Sequence, residues 1–256
     1  MKPSGRGSEW IYGRRPVMEV LRAERRQVYE AVLPPLSAHS SDDLDEIRAL
    51  LRERRVVCKT MERNQMDRLC HGGNHQSVAL RTDPYPYVAM EEALAQGREV
   101  KNPIYLVLDH LEDPQNVGSL LRTADAAGVT AVILPGDRSS GVTPAAVRAS
   151  AGASEHLCVA RVVNVTRAMQ LLKEEGVWLT GLDMEGPKSQ PYSQIDFTGP
   201  VGLVIGAEGN GLSRLVRDSC DFIATLPMNG AVASLNAAIA GAITLYEIVR
   251  QRGAKR

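Results

Sequence analysis

From residue 104 onward the chain repeats one design: a short run that is apolar throughout, then a stretch with helical periodicity. IYLVLDH precedes a helix expected over 116–128, TAVILP one over 143–151, and HLCVARV one over 166–175. VWLTGLD and PVGLVIG lead to a helix over 211–218, and FIATLP to a final helix over 234–251. A strand with one face in water alternates apolar and polar residues, whereas a strand buried on both faces is apolar at every position. The second pattern belongs to a mostly parallel sheet covered by helices on each side. The C-terminal part is therefore expected to be an α/β domain.

The N-terminal part reads differently. MKPSGRGS is small, polar and basic, and is expected to fray. Residues 16–30 place Val17, Val20, Leu21 and Val28 near helical spacing behind Pro16, which suits a first turn. Residues 42–54 repeat the design, with Ser41 as cap and early acids and late arginines that complement the helix dipole. AVL at 31–33, RVVCK at 55–59 and SVAL at 77–80 look like strands, so 9–82 reads as a small α/β domain. The segment RTDPYPYVAMEEALAQGREVKNP has three prolines and one short helical stretch. Residues 83–100 are read as a linker, which leaves 101–256 as the second domain.

Hydrophobic residues are 44% and charged residues 23%, which excludes a disordered or fibrous chain. Lys plus Arg and Asp plus Glu are 30 each, so net charge draws the whole chain toward neither nucleic acid nor membrane. Residues 1–70, however, hold 14 basic and 11 acidic side chains, a bias compatible with an RNA-facing N-terminal module and equally with solvated helices. The four cysteines are scattered without a C-x-x-C pair, so no disulfide framework is expected. Cys70, His71 and His75 form half a metal site with no second half, and no metal is expected. No apolar run approaches the roughly 18 residues that span a bilayer, and the polar N-terminus lacks a signal core. The expected compartment is the cytoplasm, with no membrane partner.

In open α/β sheets ligands bind beyond the carboxyl ends of the strands, so the loops there are the candidates. The first, LEDPQNVGSLLRTADAAGV, carries Asn116 and Arg122; each can address a ligand, or be a cap and a surface cation. The second has Gly206, Gly209 and Gly211 in a spacing that fits neither the dinucleotide nor the P-loop fingerprint, with Glu208 among them. In the third, Ser234 and Asn236 open a helix rich in Ala and Gly, as ligands or as caps, and its small residues allow a close neighbouring element or subunit.

Taken together and in this order, LDHLEDPQNVGSLLRTADAAGV, LVIGAEGNGLSRLVRDSCD and LPMNGAVASLNAAIAGAITLYE resemble the three motifs of the SpoU, or TrmH, family of RNA 2′-O-ribose methyltransferases. The stretch from YGRRPVMEVL through GNHQSVAL is similar to the substrate-binding domain of the RlmB-like branch, so the resemblance covers almost the whole chain. One departure is Ser77, where that branch has glycine.

The resemblance implies a C-terminal SPOUT-type deep trefoil knot with a mostly parallel sheet, preceded by a small α/β RNA-binding domain like ribosomal proteins L30e and L7Ae. It implies S-adenosylmethionine as cofactor, held against the main chain at Gly206, Leu226 and Leu235 with Leu182 close by, and a homodimer. Arg122, Asn116, Glu208, Ser234 and Asn236 match the family's catalytic positions. A guanidinium stays protonated, so Arg122 is expected to grip a phosphate and stabilise the developing alkoxide rather than act as a free base. Structured RNA is the expected partner, gripped by Arg14, Arg15, Arg25 and Arg26, with a guanosine of large-subunit rRNA as target. The alternatives are tRNA, an rRNA adenosine, or an RNA-binding protein without catalysis.

Overall fold

The computed structural model describes residues 7–35, 41–184, 189–209, 211–231 and 234–253; the first six residues of the expected frayed tail lie outside them. The chain folds as two units, one of residues 1–86 with 142–156 and the other of 87–141 with 157–256.

The first unit is built on a mixed sheet of β1 (Glu9–Tyr12), β2 (Val28–Val32), β3 (Val57–Lys59) and β4 (Ala79–Thr82), in the order β1-β4-β2-β3. β4 runs antiparallel to β1 and β2, and β3 runs parallel to β2. Helices α1 (Arg14–Ala23), α2 (Asp42–Glu53) and α3 (Arg63–Leu69) accompany it. Val17, Val20 and Leu21 of α1 are buried, as are Leu44, Ile47 and Leu51 of α2, so the apolar periodicity does mark inward faces. The helix expected over 16–30 stops at Ala23, where Glu24 adopts a left-handed φ of 57°. The polar run Glu24-Arg25-Arg26-Gln27 offers no apolar residue to continue the buried stripe, and Val28 pairs instead with Thr82 in the sheet. Ser41 holds the N-cap position of α2, but its hydroxyl accepts from Arg14 Nη1 at 2.7 Å instead of capping.

Cys70 packs with Val32, Met66 and Ala79. Nδ1 of His75 accepts from the Ser77 N–H at 2.9 Å, which leaves Nε2 to meet Asp67 at 3.0 Å. Among the described residues no group of three or more His, Cys, Asp or Glu could hold a metal ion.

Helix α6 (Pro144–Ala149) and the 3₁₀ turn Ala153–His156 complete this unit. Glu155 is 1% exposed and takes a forked grip from Arg26, Nε at 2.8 Å and Nη2 at 2.7 Å, while Arg26 Nη1 pairs with Glu9. Tyr85 donates to the Ser154 carbonyl at 2.9 Å, and the Arg26 guanidinium stands 5.1 Å from its ring. Burial alone would lower the Arg26 pKa, but the attraction and hydrogen bonds of Glu155 and Glu9 more than offset this and raise it. One sequence expectation is corrected here. Arg26 has a fully buried side chain and is closed to phosphate, and Arg25 is half-buried with Nη1 on the Glu155 carbonyl at 3.1 Å. Arg14 is half-buried, and Arg15 is exposed beside Asp43 at 3.5 Å.

The second unit is a seven-stranded sheet in which every neighbouring pair is parallel. Its strands are β5 (Ile104–Asp109), β6 (Ala131–Pro135), β7 (Val159–Val162), β8 (Trp178–Leu182), β9 (Ser189–Pro191), β10 (Val201–Gly206) and β11 (Phe222–Thr225), in the order β7-β6-β5-β10-β8-β11-β9. Its helices are α4 (Met90–Arg98), α5 (Pro114–Ala126), α7 (Val165–Glu174), α8 (Arg214–Ser219) and α9 (Ala237–Gly253). α4, inside the segment read as a linker, buries Met90, Ala93 and Leu94 in the same core as Tyr105 and Val107. The edge strand β9 is polar and short and gave no periodic signal. At Gly241 a Cβ would lie 2.5 Å from Ile205 and 2.6 Å from Leu120, so this glycine lets α9 press against β10 and α5. The opposite face of α9 exposes Ile239, Ile243, Tyr246 and Val249. Among the described residues no helix is long and apolar enough to cross a membrane.

Candidate active site

Because the sheet is parallel, β5, β10, β8 and β11 end side by side at one edge, and the three candidate loops leave from there. β5 ends in Asp109, 1% exposed, whose Oδ2 accepts from the Ser213 N–H at 2.8 Å and whose Oδ1 meets His110 Nδ1 at 2.6 Å. One buried carboxylate thus joins the loop after β5 to the start of α8. Asp113 caps α5 by accepting from the Gln115 N–H at 2.9 Å. Asn116 is therefore not the cap; it is buried in the first turn, and its Oδ1 accepts from Asn236 Nδ2 at 3.0 Å. Asn236 in turn accepts from the N–H groups of Ala238 (2.9 Å) and Ile239 (3.2 Å), which caps α9. The first and third motifs, 120 residues apart, meet in this asparagine pair.

Between them the chain doubles back after β10. The Gly211 N–H donates to the Ala207 carbonyl at 2.9 Å, and a Cβ on Gly206 would fall 2.2 Å from Gly211. No side chain fits at 206, which keeps the two backbones in contact. Beyond Leu182, Asp183 pairs with Arg217 of α8 and accepts from the Met184 N–H at 2.8 Å.

Gly206 and Leu182 are buried, Leu226 is half-buried and Leu235 is 40% exposed. Arg122, Glu208 and Ser234 are exposed, and among the described residues none of their side chains makes a hydrogen bond or ion pair. The structure thus joins Asn116 to Asn236, while Arg122 and Glu208 stand apart from that pair. Asp109, Asp183 and Arg217 were missed in the sequence. Asp109 carried a signal, as a carboxylate closing an otherwise apolar run that burial would force to find donors. A cavity of about 380 Å³ opens among His110, Glu112, Asp113, Arg138, Ala207 and Glu208. A larger one, about 470 Å³ around Trp178 and Phe222, lies at the opposite ends of β8 and β11 and gathers no comparable chemistry.

Residues 103–246 match the model of the SpoU rRNA Methylase family, and residues 10–88 match that for RNA 2′-O ribose methyltransferase substrate binding. The chain belongs to the SpoU family. Its activity is RNA ribose 2′-O-methylation, and the chain is an RNA methyltransferase of this kind with its own substrate-binding domain. The 23S rRNA (guanosine-2′-O-)-methyltransferase RlmB of Pseudomonas putida is 39% identical over 97% of this chain and 98% of its own. The SpoU methyltransferase AviRb from Streptomyces viridochromogenes, solved in complex with AdoMet, superposes with a TM-score of 0.79 at 27% identity, covering 97% of this chain and 92% of that one. The A. aeolicus TrmH/SpoU tRNA modifying enzyme has a TM-score of 0.54 at 26% identity, and covers 65% of this chain and 85% of its own.

Proposed function

We propose that this SpoU-family enzyme transfers the methyl group of S-adenosylmethionine to the 2′-hydroxyl of a guanosine in large-subunit rRNA. The observation that carries the reading is the asparagine pair Asn116–Asn236 beside the sterically closed turn at Gly206, at the open edge of a parallel sheet. The AdoMet-bound AviRb has the same fold over nearly its whole length, which supports the cofactor. The residues present fit an adenosyl group: Leu226, Met228 and Leu235 offer partly open apolar surface next to main chain at Gly206 and Leu182. When bound, the cofactor supplies an electrophilic methyl on a sulfonium.

The protein's own task is to hold the ribose hydroxyl in line and lower the cost of its developing charge. Arg122, exposed and uncommitted, grips the target phosphate and stabilises the alkoxide, and the released proton passes to phosphate or water. Glu208 orients the arriving nucleotide, Asn116 and Asn236 keep the two loops in register, and Ser234 contacts the nucleotide from the start of α9. The reading includes the trefoil knot that the resemblance implies, formed where segments of the second and third motifs thread a loop, and a homodimer formed through the open face of α9. RNA is gripped by the first unit, with Arg15 its exposed arginine from the expected set. A tRNA target is less well supported, since the tRNA-modifying relative covers only 65% of this chain.

The test is transfer of tritium from labelled S-adenosylmethionine to protein-free rRNA and, separately, to bulk tRNA, followed by digestion to nucleosides. Label in 2′-O-methylguanosine of large-subunit rRNA is expected, with Arg122→Ala losing transfer while still binding S-adenosylmethionine. Label only in tRNA or in adenosine would replace the target, and full activity of Arg122→Ala would remove its role.

A further inference from the structure

We infer that the cavity between the loops after β5, β6 and β10 receives the base of the acceptor nucleotide and selects guanine, with Arg138 and Glu112 as the selecting residues. This rests on the methyl-transfer reading above and concerns what that site accepts.

The sheet order β6-β5-β10-β8-β11 separates two sides. Gly206, Leu182 and Leu226, proposed to face the cofactor, close β10, β8 and β11, whereas this cavity lies over the ends of β6, β5 and β10. Glu208 is one of its lining residues, so a nucleotide whose ribose reaches the catalytic loop has this cavity beside it. At about 380 Å³ the volume is within the range of small-molecule sites, about 300–1,000 Å³.

Its walls are held in place. The Leu111 carbonyl accepts from the Ser140 N–H at 2.7 Å and from Ser139 Oγ at 3.1 Å, which ties the loop carrying Arg138 to the loop carrying Glu112. His110 and Arg138 turn the two loops through left-handed φ values of 58° and 49°. Yet among the described residues Arg138 and Glu112 make no ion pair with each other or with anything else. A guanidinium and a carboxylate line one cavity and stay apart, which leaves space for a molecule with acceptors on one edge and donors on the other.

Guanine has that pattern. Its O6 and N7 accept from an arginine fork, and its N1–H and N2–H donate in parallel to one carboxylate, matching the two oxygens of Glu112. Asp113 is less free, because it already accepts from Gln115. Adenine would turn an unprotonated N1 toward the carboxylate, which is repulsive, and would keep only N7 as an acceptor for the arginine, with an amino group in place of O6. Uracil offers one donor where guanine offers two, and is the nearest competitor.

The experiment takes the rRNA fragment that carries the methylated position and replaces that nucleotide by G, inosine, U or A. kcat/KM is measured with the wild type, Arg138→Gln, Arg138→Lys and Glu112→Gln. The wild type should prefer G. Arg138→Gln should lower kcat/KM on G by about 10- to 100-fold, the size of one lost bidentate base contact, and should nearly abolish the preference over A. Lys, which donates to O6 and N7 without the planar fork, should restore it only in part. Glu112→Gln should erase the difference between G and inosine. Equal losses on all four bases would mean a phosphate contact and would overturn the inference, as would no loss. Binding of short single-stranded oligonucleotides with one G or one A is measured in parallel. If no RNA is methylated but Arg138-dependent preference for the G oligonucleotide persists, the methyl-transfer reading fails and the pocket stands. Absence of that preference in both assays overturns the pocket. S-adenosylmethionine affinity and melting temperature, unchanged in each variant, exclude misfolding.

Discussion

At the scale of single residues, the buried Arg26–Glu155 pair is the clearest case of a charge whose role depends on its neighbour. Arg26 keeps Glu9 if Glu155 is removed, but removing Arg26 leaves Glu155 buried and unpaired, which costs about 3–5 kcal/mol, whereas replacing both by apolar groups of similar volume is far milder. Arg26→Met should therefore lower the urea midpoint strongly, and Arg26→Met with Glu155→Leu should recover most of the loss. A smaller effect belongs to Ser77, which holds a left-handed φ of 61° where the related branch has glycine. The left-handed region costs a side-chain-bearing residue about 1–2 kcal/mol, and glycine gives back about 0.5–1 kcal/mol through its greater unfolded freedom. Ser77→Gly is thus expected to stabilise the first unit modestly, read as a higher midpoint with an unchanged slope. Glycine keeps the backbone N–H that donates to His75, so an unchanged or lower midpoint would show that its greater unfolded freedom outweighs the relieved strain.

At the scale of elements, α9 carries two faces with different duties. Gly241, Thr244, Leu245 and Ile248 face inward, so the helix is locked to α5 and β10. Ile239, Ile243, Tyr246 and Val249 follow each other by four, three and three residues and form an open apolar stripe. If the enzyme is a homodimer through this stripe, Ile243→Arg with Tyr246→Asp should halve the mass measured by sedimentation while leaving the far-ultraviolet spectrum unchanged. A dimer that survives both changes would mean another interface. The sequence showed that this helix is rich in small and apolar residues but not which side its own fold would cover, because Ala and Gly are compatible with contact on either side.

At the scale of the whole molecule, RNA affinity should come from phosphate contacts of the first unit, and so fall with salt. Of the four arginines proposed from the sequence, two are tied into the fold, so fewer phosphate contacts are expected from this set. Arg15→Ala should weaken RNA binding at low salt and reduce the slope of log K against log salt by about one. The paired change Arg26→Met with Glu155→Leu should leave that slope unchanged. Insensitivity of affinity to salt would indicate recognition by base contacts alone.

What was legible in the amino acids is what repeats over a few residues. Apolar runs at 104–108, 131–134 and 201–205 announce buried parallel strands, whereas the start of α5 at Pro114 behind the Asp113 cap was not read from the sequence. Gly206, Asn116 and Asn236 stood out because unusual residues followed strands. Other features required the fold, because they pair residues far apart in the chain. Arg26 and Glu155 are 129 positions apart and look like any solvated charges until the chain brings them together. Residues 142–156 join the first unit although they lie among the strands of the second, and Arg138 faces the same cavity as Glu112 only because β6 lies beside β5. Local pattern reports burial and periodicity, which each segment carries alone. Partnership between distant charges arises when the core closes and sets which of them lose their water.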